Sequence, residues 1–289
     1  MNRDILSVIQ SKMPTFSKGQ KLIANYILQS YDKAAFMTAS RLGQTVKVSE
    51  STVVRFAAEL GYDGYPAMQR TLQEMIRNKL TSIQRIEVAD DRMGNHDILS
   101  MVMHSDMEKL RMTLEQIDRP DFDGAVQDIV QAKRIYILGV RSASAISTFL
   151  AFYFNLIFDN VTHVTAASAS EIFEQLLRVG SDDVVIGVSF PRYSKRTVKA
   201  MEFARDRGAK VVAITDSEAS PLAASAHRLL VAKSDMVSFV DSLVAPLSLV
   251  NALIVAIARA KKQDLSRNLG ELEHIWAEYE VYEKVEEER

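Results

Sequence analysis

The chain has 289 residues, 47% hydrophobic and 25% charged, with a net charge of −2 and no cysteine. That length suits about two domains. The missing cysteines exclude disulfides, thiolate nucleophiles and cysteine-ligated zinc, and they fit a reducing, cytoplasmic setting. The five histidines (His96, His104, His163, His227 and His274) are scattered with no pair at metal-ligand spacing, so neither a metal nor another cofactor is expected.

No apolar run approaches the roughly 18 residues of a membrane span. The opening MNRDILSVIQSKMP reaches Lys12 without a sustained apolar core, so no signal peptide is expected there. The apolar stretch VDSLVAPLSLVNALIVAIARA is interrupted by Asp241, Ser242, Pro246, Ser248 and Asn251, and reads as a buried helix. Charge is uneven. Residues 1–80 hold eleven Lys and Arg against six Asp and Glu, which leaves 24 against 31 in the rest. A basic first quarter on an acidic body points to an anionic partner at that end.

Residues 1–80 show only helical spacing. Ile5, Leu6 and Ile9 mark a first helix. Ser17 caps a second with a stripe of Leu22, Ile23, Tyr26 and Ile27. Thr38 caps a third, carrying Ala39 and Leu42 inward. Ser49 caps a fourth, ESTVVRFAAEL, which stops at Gly61. A fifth, PAMQRTLQEMIRNKL, follows Asp63-Gly64. The third and fourth, joined through Val46 and Val48, have a helix-turn-helix layout. The fourth helix is expected to bury Val53, Val54 and Ala57 or positions near them. It is expected to expose Glu50, Ser51, Thr52 and Arg55. A helix that reads DNA needs this division, because the side chains of its first turns must reach base edges. The expected DNA-binding set is Ser49, Ser51, Thr52 and Arg55 toward bases or phosphates. Lys18, Lys47 and Arg70, with Lys21, would neutralise backbone phosphates.

Residues 81–96 lose the periodicity and read as a linker. Residues 97–118 resume as a helix with Ile98, Met101, Val102, Leu110, Leu114 and Ile117. From about 121, β-rich runs at 134–139, 161–165, 183–189, 210–215 and 228–232 alternate with helical patterns. This alternation predicts a parallel sheet with crossover helices. Ligands of such sheets bind beyond the carboxyl ends of the strands. Three strand ends carry hydroxyls there. The first is GVRSASA at 139–145, with Arg141, Ser142 and Ser144. The second is SFPRYSKRT at 189–197, with Ser189, Arg192, Ser194 and Thr197. The third is ITDSEASPLA, where Ser220-Pro221 is expected to open a helix. No acid occurs between Asp183 and Glu202, while Arg192, Lys195, Arg196 and Lys199 are basic. A phosphate suits that field. Glu171 is the best candidate general base should the domain be an isomerase. Residues 262–289 read as a final helix with Leu265, Leu269, Leu272, Ile275, Trp276 and Tyr279 on one stripe, packed on its own domain or shared with a second subunit.

VSESTVVRFAAELGYDGYPAM resembles the DNA-binding helix and following turn of the RpiR family of bacterial transcription regulators. The body from about 125 to 260 is similar to a sugar isomerase (SIS) domain. The resemblance implies an all-α helix-turn-helix domain (1–80), a linker and connecting helix (81–120), an SIS-like three-layer α/β/α domain with a five-stranded parallel sheet (121–261), and a C-terminal helix (262–289). It also implies a homodimer or homotetramer on a double-stranded DNA operator. A phosphorylated sugar or sugar acid would then be sensed by Arg141, Ser142, Ser144, Ser189, Arg192, Ser194 and Thr197 rather than turned over. The alternative is a phosphosugar isomerase with an accessory helical domain, and a third reading is a protein-binding adaptor. The sequence departs from the common SIS pattern. Arg141 and Ala143 stand in the first loop where Gly and Ser are usual, and Pro191-Arg192 replaces Ser-Gly in the second. Ser189 is kept, Ser194 stands for Thr, and Ser220-Pro221-Leu222-Ala223 is retained.

Overall fold

The computed structural model describes residues 5–77, 81, 83–86, 97–165, 168–234 and 240–283. Residues 87–96 of the expected linker and the acidic end from 284 lie outside the described residues. The chain divides into two compact units: residues 1–101 with 236–241, and residues 102–235 with 242–289.

The first unit is helical: α1 (Ile5–Lys12), α2 (Lys18–Gln29), α3 (Tyr31–Ala34), α4 (Ala39–Val46), α5 (Glu50–Glu59) and α6 (Tyr65–Arg77). Ser17 opens α2 with a reciprocal capping box. Its hydroxyl accepts from Gln20 N–H, and its own N–H donates to Gln20 Oε1 at 2.9 Å. The core gathers Ile9, Ile23, Ile27, Leu42, Val53, Phe56, Met68, Leu72 and Ile76. Phe16 and Phe56 meet at 5.1 Å between ring centroids. Tyr65 ties α6 to the α3–α4 corner by donating to Met37 O at 2.8 Å, and burial pushes its hydroxyl pKa up. Two expected core positions differ. Leu22 is exposed, with Ala24 filling the α2 face instead. Val54 is exposed, and Phe56 takes its place, because Val53, Phe56 and Ala57 share one helical face while Val54 is turned about 100° away.

Helix α7 (Ile98–Gln116) leads to α8 (Arg119–Gln131). Expected stripe members Ile98 and Leu114 are exposed, while Lys109 and Thr113 are buried. Thr113 Oγ1 accepts from Lys233 N–H at 2.9 Å, and Asp106 accepts from Ser242 Oγ at 2.6 Å. The face of α7 that packs is thus polar and hydrogen-bonded, which an apolar period does not report.

The second unit continues β1 (Ile135–Gly139), α9 (Ala143–Ile157), β2 (Val161–Val164), α10 (Ala169–Gln175), β3 (Val184–Val188), α11 (Lys195–Asp206), β4 (Lys210–Thr215), β5 (Arg228–Val231), α12 (Val244–Ala260) and α13 (Lys262–Glu278). The five strands form one parallel sheet in the order β2-β1-β3-β4-β5. Strands β1 and β3 are buried along their whole length, as a sheet covered on both faces requires. Ile135, Ile137, Ile186, Val188, Val212 and Ile214 face a core with α8, α9 and α12. Tyr136, Leu138, Val185, Val211 and Ala213 face the other, with α10 and α11. This is a three-layer α/β/α arrangement. Arg134 and Asp183 lock the β1 and β3 entrances through paired bonds of 3.0 and 2.8 Å, with Asp183 wholly buried. No buried side chain lies on α13, whose expected stripe is half-buried at best. Among the described residues, no single helix is long and apolar enough to cross a membrane.

Candidate functional site

Strand order places the α/β site. From β1 the chain moves outward to β2, then returns to the opposite side of β1 as β3. Ligand crevices of open parallel sheets form where the order reverses in this way. Gly139 and Val188 are register partners, so the loops after β1 and β3 begin side by side.

The first loop packs tightly. A Cβ on Gly139 would stand 2.7 Å from Ala143 O and 2.9 Å from Ser147 Oγ, so only glycine lets α9 start so close to its strand. Arg141 adopts φ +59°, a left-handed backbone that favours glycine. Ser144 Oγ donates to Arg141 O at 2.6 Å. Ser142 stands at the N-cap of α9, yet its hydroxyl makes no capping bond, and both Arg141 and Ser142 are exposed. The head of α9 thus presents an uncommitted hydroxyl beside a cation.

The second loop is closed on itself. Ser189, buried at the end of β3, accepts from Ser194 N–H at 3.1 Å. Ser194 caps α11 by accepting from Thr197 N–H. Tyr193 donates to Asp216 Oδ1 at 2.8 Å and so anchors the loop to the end of β4. Arg192, Lys195 and Arg196 are exposed around this helix start. Thr197 departs from expectation. Its side chain is wholly buried in the first turn of α11, so it packs beneath the loop instead of lining it. The third strand end is structural. Thr215 Oγ1 donates to Ser220 Oγ at 2.9 Å, which in turn accepts from Leu222 N–H. After Ser220-Pro221 comes only a 3-10 turn, Ala223–Ser225, where a helix was expected.

Glu171 sits exposed in the first turn of α10, its own N–H held by Ser168 Oγ at 3.3 Å. That position matches a carboxylate to a helix N-terminus. His163 Nε2 lies 3.1 Å from buried Ser147 Oγ, and burial lowers its pKa. His227 Nδ1 accepts from Val211 N–H at 3.0 Å. Burial first, then Lys210 and Arg205, lowers its pKa. Among the described residues, no group of three His, Asp or Glu could hold a metal.

In the helical unit, α4 and α5 form the helix-turn-helix. Lys47 closes α4 in the left-handed region (φ +59°), and Val48 N–H reaches back to Gly43 O at 2.8 Å. A Cβ on Gly43 would stand 2.8 Å from Val48 O, a close approach that only glycine permits. Gly43, inside α4, is thus a residue on which the turn depends and which the apolar pattern alone passes over. Ser49 caps α5 through Thr52 N–H and also meets Ser51 Oγ and Thr52 Oγ1 at 2.9 and 2.8 Å. Ser51 and Arg55 are exposed, and Arg55 Nε donates to Ser51 O at 3.3 Å. Thr52, expected on the outer face, is half-buried. Lys18, Lys47 and Arg70 are exposed on α2, the turn and α6.

Residues 3–79 match the helix-turn-helix domain of the rpiR family, and residues 128–256 match the SIS domain family. The sugar isomerase domain of an RpiR transcription factor from Sphaerobacter thermophilus is 30% identical, with 62% of this chain and 99% of that one aligned at a TM-score of 0.59. Vibrio vulnificus NanR, solved with ManNAc-6P, shares the fold across 95% of this chain and 98% of its own, at 24% identity and a TM-score of 0.59. The transcriptional regulator HexR of Pseudomonas aeruginosa is 24% identical over 226 residues, 76% of each chain. The order of the two domains and these relatives place the chain in the RpiR family of transcriptional regulators, with an N-terminal helix-turn-helix and a C-terminal SIS domain.

Proposed function

We propose that this regulator binds a double-stranded operator through α5 and that a phosphorylated sugar or sugar acid, held at the carboxyl ends of β1 and β3, sets its operator affinity. The observation that carries the sensor half is the side-by-side start of the two loops at the point where strand order reverses, with Arg141, Ser142 and Arg192 exposed on them. Cations and an uncommitted hydroxyl at helix starts suit a phosphate. Ser189, Ser194 and Ser144 hold the loop backbones in shape, and Thr197 supports them from beneath. The ligand is sensed and left unchanged: Glu171 is placed as a helix-start charge, and His163 and His227 are engaged within the fold.

On the DNA side, Ser49 and Thr52 shape the start of α5, while Ser51 and Arg55 face outward to meet bases or phosphates. Lys18, Lys47 and Arg70 contact the backbone. A homodimer or homotetramer, as the SIS resemblance implies, would present two α5 helices to two half-sites. Coupling requires the ligand to bind the DNA-competent and DNA-incompetent states unequally.

Thermal unfolding of the full chain against a panel of sugar phosphates, sugar-acid phosphates and their unphosphorylated forms tests the sensor. A phosphorylated member should raise the midpoint in a concentration-dependent way, and Arg192→Ala should abolish that rise. An equal rise with the unphosphorylated sugar, or an undiminished rise in the variant, would contradict the site. Arg55→Ala should weaken operator binding by roughly 1–3 kcal/mol if it reads a base, and unchanged affinity would remove Arg55 from the interface.

A further inference from the structure

Helix α5 keeps one face for the core and shows another to solvent. Val53, Phe56 and Ala57 are wholly buried, while Ser51, Val54, Arg55 and Ala58 are exposed. Val54 is 42% exposed although it is an apolar, β-branched residue. Neither packing nor local preference accounts for it. The core face is already complete without it, and a β-branched residue on an exposed helix position is a poorer helix former than alanine. Its neighbours on the outward face are Glu50 and Ser51 one turn before and Arg55 beside it, and the Arg55 side chain lies back along the helix toward Ser51 O. Exposed Glu50 stands at the head of this face, one turn before Val54, and no further acid occurs on α5 before Glu59, so Val54 and Arg55 are flanked by hydroxyls and alanines.

In a major groove the bases offer donors and acceptors to the polar neighbours, and one apolar feature, the C5 methyl of thymine. We propose that Val54 is a specificity-determining residue that packs against a thymine methyl in each half-site. It would sit beside the hydrogen-bonding contacts of Ser51 and Arg55. This assignment rests on the DNA-binding reading of α5.

Preferred duplexes are first selected from a random pool with the full chain. Each thymine of the selected site is then replaced in turn by uracil, which removes only the methyl. Affinities are measured by fluorescence anisotropy for the wild type and for Val54→Ala, whose fold is checked by circular dichroism. At one thymine per half-site, loss of the methyl should weaken wild-type binding about fourfold, the value of one buried methyl group. Val54→Ala should bind the thymine and uracil duplexes equally. Methyl sensitivity that is absent everywhere, or that persists unchanged in Val54→Ala, would overturn the valine's role while leaving DNA binding in place. Failure to enrich any duplex would overturn the DNA-binding reading and this assignment with it.

Discussion

Lys47 in the helical unit and Arg141 in the α/β unit share a backbone conformation, φ +59° in both. Each is a long cation in a turn that leads into a helix. Each follows a glycine, Gly43 or Gly139, whose missing Cβ lets a backbone carbonyl approach to less than 3 Å of where that atom would stand. The turns differ in what the next hydroxyl does. Ser49 gives its oxygen to Thr52 N–H and completes α5. Ser142 makes no capping bond to α9. A DNA-reading helix must keep its own shape while its outer side chains do the reading. On the proposed function, an anion sensor needs a donor left over at a helix start, and the Ser142 hydroxyl is one. One backbone solution therefore serves a self-contained turn in one unit and an open one in the other.

The largest way to break this comparison is to add the missing Cβ. Gly43→Ala and Gly139→Ala should each destabilise their unit by about 2 kcal/mol, the usual range for overpacking against backbone. Urea unfolding would read the loss, and midpoints equal to the wild type would show that the close approaches are not required. Next come the serines. Ser49→Ala should cost about 1 kcal/mol, as a lost helix cap does. Ser142→Ala should leave stability within a few tenths of a kcal/mol, the range of neutral surface changes, while reducing the thermal shift caused by a sugar phosphate. Equal destabilisation by the two would erase the distinction between them.

Smaller effects follow from the cations. Arg141→Gly and Lys47→Gly relieve a left-handed non-glycine residue, and each should stabilise by about 0.5 kcal/mol after glycine's entropy cost is set against the relief. The two variants should then part in function. Arg141→Gly weakens the ligand response, whereas Lys47→Gly lowers the salt dependence of DNA binding by about one ion. The smallest effect is on pH. The folded-state pKa values of His163 and His227 lie below the unfolded value, so the unfolded chain binds more protons between those values and about 6.5. Stability should therefore fall as pH drops below about 6.5. It should fall less in His227→Asn, and a flat profile in the wild type would contradict the burial of both rings.

Much of this was legible in the sequence. The five β-rich runs lie on the five strands, because a sheet covered on both faces demands continuous apolar segments, and the helices open at Ser17, Thr38, Ser49 and Ser194 as their side-chain chemistry dictates. What was not legible depends on contacts distant in sequence. The pairing of Gly139 with Val188, the Tyr193–Asp216 anchor and the complete burial of Thr197 follow from strand order, which no local pattern encodes. Val54 faces solvent, against expectation, for a different reason. Two adjacent valines satisfy an apolar count equally well, and only the neighbours at Phe56 and Ala57 decide which one faces inward. The hydroxyls of Ser49 and Ser142 look alike as residues, and their different use emerges only from backbone geometry.

The central claim is that an anion at the β1–β3 loops changes what α5 does. The most direct test is the affinity of the full chain for its selected duplex, titrated with and without a saturating sugar phosphate, in the wild type and in Ser142→Ala and Arg192→Ala. Coupling predicts a shift of roughly fivefold or more in the wild-type Kd, within the usual allosteric range. That shift should be absent with the unphosphorylated sugar and sharply reduced in both variants, with ligand-free DNA binding unchanged. A wild-type Kd that does not move while the same sugar phosphate raises the unfolding midpoint would show binding without coupling, and would contradict the account.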